Sequence, residues 1–200
     1  MKKQVFNSIE ETLIPENMIS LYAMGAFPMG EDDGSVNWYF PQVRTIIPLD
    51  NYNIPRSLNS FLKTAEFEYT FSEDYLAVIK GCASRDKTWI NEEIMEAYKG
   101  LYKLGYLHSV EVRVKGELVG GLYGVAYKGA FFGESMFSRA PQSSKAALKT
   151  LLERLSARGY ILLDVQYMTP HLKMFGAVEL PLQKFQSLLK KSRELERSFL

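Results

Sequence analysis

Three strand-like segments separated by short turns lie in the middle of the chain, and their spacing does most to limit the possible folds. The segments cover residues 108–114, 118–126 and 130–137, with turns at Lys115-Gly116 and Lys128-Gly129. Strands joined this closely can pair only in antiparallel fashion, because a parallel pair needs a crossover of a dozen or more residues. The sequence therefore predicts a three-stranded antiparallel meander.

Helical and strand patterns alternate on both sides of this meander. Before it, apolar spacing predicts helices over 57–65, 74–82 and 91–104 and a strand over 67–71. After it, the pattern predicts a helix over about 143–158, a strand over 160–166, a short helix from Pro170, a strand over 177–180 and a helix over 181–192. This order indicates an α+β fold with one mixed sheet flanked by helices. It resembles the acetyltransferase-like (GNAT-like) fold, which binds acyl donors where central strands splay apart.

The first part of the chain differs from the rest in its residue pattern. Aromatic residues alternate with prolines in Phe27-Pro28-Met29-Gly30 and again over 38–41, with an acidic turn over 31–34 between them. Such a mixture is typical of short strands in an irregular segment. We therefore expect a small N-terminal lobe over 1–55, with 46–49 leading out of it, and a catalytic domain over 56–200.

Composition excludes several classes of protein. The chain has 24 basic and 23 acidic residues, so nucleic-acid binding would need a local basic patch. The single cysteine, Cys82, excludes an internal disulfide framework, and with no signal-like start it predicts a cytoplasmic location. No apolar stretch approaches the roughly 20 residues of a membrane span. Two isolated histidines make a metal site unexpected.

Polar residues interrupt two apolar, strand-like runs in the second half of the chain. Glu134 lies within Phe131-Phe132-Gly133-Glu134-Ser135-Met136-Phe137, and Asp164 and Gln166 follow Leu162-Leu163. A buried carboxylate is costly unless it is paired or hydrogen-bonded. Two of them in neighbouring strands therefore predict a shared polar pocket, and ionisable groups in such a pocket are functional candidates.

Each of these residues also has a structural interpretation. Glu134 could lie on the outer face of an edge strand, and Asp164 could be the polar tip of a buried strand. His171, after Pro170, is more often a capping or packing residue than a base. The glycines of Gly120-Gly121-Leu122-Tyr123-Gly124 could form a bulge or could allow a substrate to approach the backbone closely.

Taken together in chain order, these segments resemble the leucyl/phenylalanyl-tRNA–protein transferase family over about residues 20 to 180. The matching segments are Tyr22-Ala23-Met24-Gly25-Ala26-Phe27-Pro28, Trp38 with Pro41 and Arg44, Gly81-Cys82-Ala83-Ser84-Arg85, Thr88-Trp89-Ile90, Ala97-Tyr98, His108-Ser109-Val110-Glu111-Val112, residues 118–125 and 132–138, Ser144-Lys145-Ala146-Ala147-Leu148, Asp164-Val165-Gln166, His171-Leu172 and Gly176-Ala177.

The resemblance implies an activity and a set of roles. Enzymes of this family move leucine or phenylalanine from aminoacyl-tRNA onto proteins that begin with lysine or arginine, which marks those proteins for degradation, and they need no cofactor. It implies that Asp164 and Gln166 are catalytic, with Asp164 acting through Gln166 to orient the incoming amine, and that Glu134 holds a cationic amine. The remaining substrate-binding candidates are Ser135, Tyr98, the side-chain slot of Met136, Leu122 and Leu163, and Trp38 and Trp89 beside the terminal adenosine. The candidate contacts to tRNA phosphates are Lys80, Arg85, Lys87 and Lys145.

Two other functions stay open from the residues alone. The first is an acyl-CoA-dependent N-acyltransferase of the same fold, although the stretch 139–145 lacks the glycines with which such enzymes cradle a pyrophosphate. The second is a non-catalytic module that binds tRNA or protein N-termini. A test of transfer from leucyl-tRNA to an arginine-starting peptide separates all three.

Overall fold

The computed structural model describes residues 8–200 except 32, 34, 85–87 and 89. Three predicted site residues, Arg85, Lys87 and Trp89, lie outside the described residues. The helices are α1 (Ile9–Thr12), α2 (Pro15–Met24), α3 (Arg56–Leu62), α4 (Tyr75–Ala83), α5 (Glu92–Lys103), α6 (Ser143–Ala157), α7 (Pro170–Lys173) and α8 (Leu182–Ser192). The strands are β1 (Phe27–Gly30), β2 (Val36–Tyr39), β3 (Val43–Ile47), β4 (Glu68–Phe71), β5 (Leu107–Val114), β6 (Glu117–Tyr127), β7 (Ala130–Ser138), β8 (Leu162–Gln166) and β9 (Val178–Pro181).

The described strands form two sheets. Strands β1 and β2 pair in a small antiparallel sheet, and the other seven form a sheet in the order β4-β5-β6-β7-β8-β3-β9. The predicted meander is confirmed as β5–β6–β7, which pair in antiparallel fashion. Its two turns contain Lys115 and Lys128 in the left-handed backbone region, with φ of 50° and 57°. The mixed sheet with helices on both faces confirms the predicted α+β class.

Strands β7 and β8 are parallel and stay paired over a short distance only. Their register runs from Ala130 opposite Leu162 to Phe132 opposite Asp164. Beyond these residues β7 continues along β6, where Met136 lies opposite Leu122. The two central strands thus part immediately after the last paired residues, which opens a gap in the middle of the sheet.

Side-chain caps and apolar faces explain why the helices form where they do. Asn91 accepts a hydrogen bond from the Ile94 backbone N–H at 2.9 Å at the start of α5, and Asp74 accepts one from Ala77 at 3.3 Å at the start of α4. Helices α2, α4 and α5 bury their apolar residues on one face of the large sheet, and α6 buries its apolar residues on the other. The result is a layered fold with a core on each side of the sheet.

Strand β3 belongs to the large sheet although it lies within the segment 1–55 that the sequence assigns to the small lobe. It pairs with β8 on one side and with β9 on the other. Residues 44–47 are almost fully buried, and Pro48 follows directly. The sequence predicts that residues 46–49 lead out of the lobe; in the structure, residues 46–47 end β3, which lies inside the sheet next to the edge strand β9.

The glycines of β6 make room for the protein's own atoms. A Cβ atom on Gly120 would lie 2.3 Å from the Ser143 hydroxyl oxygen of α6, and one on Gly124 would lie 2.3 Å from the Phe132 carbonyl oxygen. The register of β6 and β7 also shifts between Tyr123 and Gly124. Close packing and a bulge therefore account for these glycines, and a substrate is not needed to explain them. Among the described residues, no helix is long and apolar enough to cross a membrane.

Candidate functional site

A cleft of about 870 Å³ opens where β7 and β8 part. Apolar side chains from β6, β7 and β8 form its walls, and polar side chains enter it from the ends of β7 and β8. The predicted site residues that line the cleft are Leu122, Glu134, Ser135, Met136, Leu163 and Gln166. Glu134 and Gln166 therefore line one cavity, whereas Asp164, which the sequence predicts to share a polar pocket with Glu134, does not line it.

Glu134 is half-buried and is held by two tyrosines from the helices below it. The Tyr22 hydroxyl of α2 donates to Glu134 Oε1 at 2.9 Å, and the Tyr98 hydroxyl of α5 donates to Oε2 at 2.8 Å. Burial raises the pKa of Glu134 to about 7, although the two tyrosine hydrogen bonds oppose this rise. Burial and the nearby Glu134 charge raise the pKa of both tyrosines well above 10, so both remain donors at neutral pH.

Gln166 ends β8 with a φ of 66°, in the left-handed backbone region that residues other than glycine rarely adopt. Its backbone N–H donates to Asp164 Oδ1 at 2.9 Å, and its side-chain Nε2 donates to the Gly133 carbonyl oxygen at 3.1 Å. The side chain thus bridges the gap between β8 and β7. Because its NH₂ group donates to the backbone, its amide oxygen is the acceptor it can offer to a ligand.

Asp164 is fully buried and is not among the residues that line the cleft. Its carboxylate accepts hydrogen bonds from Arg44 Nε at 2.9 Å and from Arg44 Nη2 at 2.5 Å. Arg44 is also fully buried, on the neighbouring strand β3. Asp164 is therefore one half of a buried ion pair, and it is linked to the cleft through the hydrogen bond that it accepts from Gln166.

Tyr98 and Trp38, two further predicted substrate contacts, lie behind the residues that line the cleft. Tyr98 is fully buried, and its hydroxyl donates a hydrogen bond to the Glu134 carboxylate, which lines the cleft. Trp38 lies on β2, where its ring packs edge-on against Tyr22 with centroids 5.3 Å apart and its Nε1–H donates to Thr12 at 3.1 Å. Neither Tyr98 nor Trp38 lines the cleft. Trp38 also packs against Tyr22, whose hydroxyl donates to Glu134.

The two described candidates for tRNA phosphate contacts also lie outside the cleft lining. Lys80 is exposed on α4, and Lys145 is half-buried in the first turn of α6. Lys145 is close enough to His171 for its charge to contribute to lowering the pKa of that histidine, behind the larger effect of burial. Lys145 therefore lies near the cleft, since His171 is one of its lining residues.

Sequence reasoning missed three residues of this site. Tyr22 and Arg44 were noted only as parts of matching segments, and His171 was interpreted as a capping or packing residue. His171 lines the cleft and also packs, with its ring stacked on Phe175 at 5.7 Å. A charge in an apolar strand is the signal that singled out Asp164, and the same signal in Val43–Ile47 points to Arg44.

Family models and sequence relatives all match this chain to one family of proteins. The family model described as leucyl/phenylalanyl-tRNA protein transferase matches residues 46–190, and the model of its N-terminal domain matches residues 11–42. The leucyl/phenylalanyl-tRNA–protein transferase of Rhodopseudomonas palustris (strain TIE-1) is 48% identical over 199 residues, which cover 96% of this chain and 88% of that protein. The protein of the same name from Rubrobacter xylanophilus is 46% identical, over 94% of this chain and 98% of that protein.

The solved structures that match this chain are much less similar to it in sequence. The ribosomal-protein-alanine N-acetyltransferase of Brucella melitensis biovar Abortus 2308 is 16% identical, with a TM-score of 0.41, over 55% of this chain and 88% of that chain. The family models and the sequence relatives together cover both the small sheet and the cleft. The chain therefore belongs to the leucyl/phenylalanyl-tRNA–protein transferase family.

Proposed function

We propose that this protein transfers leucine or phenylalanine from aminoacyl-tRNA to the α-amino group of proteins that begin with lysine or arginine. Membership in the family supports the reaction class. The observation that carries the proposal is the apolar cleft between β7 and β8, with the Glu134 carboxylate and the Gln166 amide entering it. The reaction takes place in the cytoplasm, where aminoacyl-tRNA is made, and the added residue marks the acceptor for degradation.

The apolar side chain of the transferred residue fits between Leu122, Met136 and Leu163, all of which line the cleft. Met136 and Leu122 face each other across β6 and β7, and Leu163 comes from β8. A methionine wall is deformable, so one slot accepts both leucine and the flat ring of phenylalanine. Side chains branched at Cβ are wider near the backbone, and we expect isoleucine and valine to be transferred less efficiently than leucine.

The chemistry exchanges an ester for an amide, so no nucleotide hydrolysis is needed. The acceptor nitrogen attacks the ester carbonyl carbon, the bond to the ribose oxygen breaks, and that oxygen leaves as a hydroxyl with the proton that the amine gives up. A protein α-amino group has a pKa of roughly 7.7 to 8.0 and is largely protonated at neutral pH. The Gln166 amide oxygen orients the amine by accepting a hydrogen bond, and Glu134, with a pKa of about 7, binds an ammonium group.

The nucleic-acid part of the substrate binds to basic side chains. Lys145 lies close to the cleft residue His171, and we assign it, with Lys80, Arg85 and Lys87, to tRNA phosphates. Trp38 and Trp89 are assigned to the terminal adenosine. These residues would contact the aminoacyl end and the phosphate backbone of the tRNA and would not distinguish its base sequence.

The direct test is a transfer assay with the full chain. We expect labelled leucine to move from leucyl-tRNA to the N-terminus of an arginine-starting peptide, and not to the same peptide with an acetylated N-terminus. A matched aspartate-starting peptide tests the preference for basic N-termini. Acetyl-CoA in place of leucyl-tRNA tests the alternative acyl donor. Transfer from acetyl-CoA alone, or from neither donor, would overturn the proposal.

Enlarging the slot should change which residue is transferred. In Met136→Ala the cleft gains volume beside Leu122, so we expect the ratio of kcat/KM for phenylalanyl-tRNA to that for leucyl-tRNA to rise about tenfold, since differences of this kind are worth about 1 to 3 kcal/mol. Competition between the two charged tRNAs measures the ratio. Met174→Ala, at a methionine that is 42% exposed, is the control, and an equal change there would remove the slot assignment.

The raised pKa of Glu134 predicts how the stability of the protein changes with pH. It is about 7 in the folded chain and near 4.5 in the unfolded chain, so the folded state holds the proton more tightly. The stability that this gives is fully present below about pH 4.5 and is lost as the pH rises through about 7. The free energy of unfolding of the wild type should therefore fall, relative to Glu134→Gln, between about pH 5 and about pH 8. Urea titrations measure it, with Glu179→Gln as control; parallel curves would contradict the burial of this charge.

Phosphate contacts predict a salt effect. Each lysine–phosphate contact adds about 0.7 to 0.9 to the slope of log K against log salt. We expect Lys145→Gln to lower the slope for leucyl-tRNA binding by about 1, whereas Lys103→Gln, at an exposed lysine of α5, leaves it unchanged. Filter binding over a range of salt concentrations measures both slopes. An unchanged slope in Lys145→Gln would remove this lysine from the proposed contacts.

A further inference from the structure

Arg44 joins three parts of the fold although it has no exposed surface. Its Nη1 donates to the Gly25 carbonyl oxygen at 2.7 Å, at the end of α2. Its guanidinium carbon lies 4.4 Å from the ring centre of Phe27 on β1 and 4.8 Å from that of Phe185 on α8. One planar cation therefore fixes the end of α2, strand β1 and helix α8 against β3 of the large sheet.

Two further donors of Arg44 point at Asp164. The guanidinium Nε and Nη2 bind the two carboxylate oxygens at 2.9 Å and 2.5 Å, which is the bidentate geometry of a strong charge-assisted pair. If Asp164 took a proton from the acceptor amine, the Arg44 charge would stay buried without its counter-ion, and such a state is strongly unfavourable. Both carboxylate oxygens of Asp164 are thus already bonded to Arg44, and Asp164 does not line the cleft from which a proton would come.

The same carboxylate controls the end of β8. Asp164 Oδ1 accepts the Gln166 backbone N–H at 2.9 Å, and Gln166 has a φ of 66°. A glutamine persists in this sparsely populated region only when its surroundings hold it there. From this position its side chain reaches the Gly133 carbonyl oxygen at 3.1 Å and lines the cleft.

We propose that Arg44 is a positioning residue of the transfer reaction. It fixes the Asp164 carboxylate, the carboxylate holds Gln166 in its left-handed conformation, and Gln166 presents its amide to the amine in the cleft. Asp164 acts as a hydrogen-bond acceptor for the backbone and does not take the proton. This inference rests on the proposed function, since it assigns how the same cleft is held in its working geometry.

Three variants separate positioning from proton transfer. Arg44→Gln and Asp164→Asn each leave one buried charge without its partner. The double variant, Arg44→Gln with Asp164→Asn, removes both charges and keeps an oxygen to accept the Gln166 N–H. We expect each single variant to lose at least about 100-fold in the single-turnover rate, because small misplacements of reacting groups cost this much, and we expect the double variant to recover at least about tenfold of the loss.

The pH profile distinguishes positioning of Gln166 by Asp164 from proton transfer to Asp164. The charged and titratable groups around Asp164 are Arg44 and, across the cleft, Glu134, whose pKa is affected by both. If Asp164 only positions Gln166, the double variant keeps the wild-type shape of rate against pH. A double variant as inactive as Asp164→Asn, or one that has lost a limb of the profile, would overturn the proposal.

Two further measurements keep the outcome decisive. Hydrogen exchange at the Gln166 backbone N–H should be slow in the wild type and the double variant and fast in Arg44→Gln, whether or not transfer is detected. Equal exchange in all of them would overturn the inference.

If Arg44→Gln fails to fold, Arg44→Lys keeps the charge, loses the bidentate geometry and should lower kcat with an unchanged KM. Arg154→Gln, at an arginine 4.1 Å from the Phe71 ring centre, is the control. A wild type that transfers nothing would contradict the proposed function alone.

Discussion

Replacing Asp164 with alanine should lower the rate of transfer by at least about 100-fold. The change removes the acceptor of the Gln166 N–H, so the strand end is free to leave its left-handed conformation. It also leaves Arg44 buried without a counter-ion, and breaking a buried pair in this way costs about 3–5 kcal/mol of stability. Single-turnover transfer from leucyl-tRNA and urea unfolding measure the two effects.

The control for this experiment is Asp50→Ala, at an exposed aspartate, which should change neither measurement. The rate must be taken at a temperature where circular dichroism shows the variant to be folded, so that loss of structure is not counted as loss of catalysis. An Asp164→Ala variant with near-normal turnover and normal substrate affinity would remove Asp164 and Gln166 from the reaction.

The second large effect is expected for Glu134→Ala. This change removes the carboxylate from the cleft wall and leaves the hydroxyls of Tyr22 and Tyr98 without the acceptor that both now use. Hydrogen bonds to charged groups contribute about 1.5–3 kcal/mol each, so losing the contact to a substrate ammonium group should lower kcat/KM by about 10- to 100-fold. Steady-state kinetics with varied leucyl-tRNA and varied peptide will show which substrate carries that ammonium group.

Glu134→Gln and Glu179→Ala are the matched comparisons. Glutamine keeps an oxygen for one tyrosine and loses only the charge, so it should retain more activity than alanine. Glu179 is exposed on β9, and its change should have no effect. Equal kcat/KM values in the wild type and Glu134→Ala would contradict the assignment of Glu134 to amine binding.

The helices from α3 to α8 and most strands of this fold could be predicted because their signals are local. Asn91 and Asp74 cap α5 and α4, and the two turns of the meander carry a lysine before a glycine. Strand β3 was missed because it has only five residues, one of which is Arg44. Its place between β8 and β9 depends on pairings more than one hundred residues away in the chain, which no local pattern encodes.

The candidate site could be predicted in part for the same reason. Glu134, Asp164 and Gln166 stood out because each is polar within an apolar strand. Their partners did not, since Tyr22 and Tyr98 are ordinary core aromatics until the fold brings their hydroxyls to one carboxylate. The interpretation of Trp38 as a direct substrate contact followed from the resemblance; its contacts with Tyr22 and Thr12 come only from the folded chain.

The central claim is that the gap between β7 and β8 holds the aminoacyl end of the donor. The most direct measurement is a crystal structure of the full chain with leucine joined through a non-hydrolysable amide to 3′-amino-3′-deoxyadenosine. We predict that the leucine side chain lies between Leu122, Met136 and Leu163, with its amine within hydrogen-bond distance of Glu134 or Gln166. A leucyl group bound anywhere outside this cleft would contradict the account.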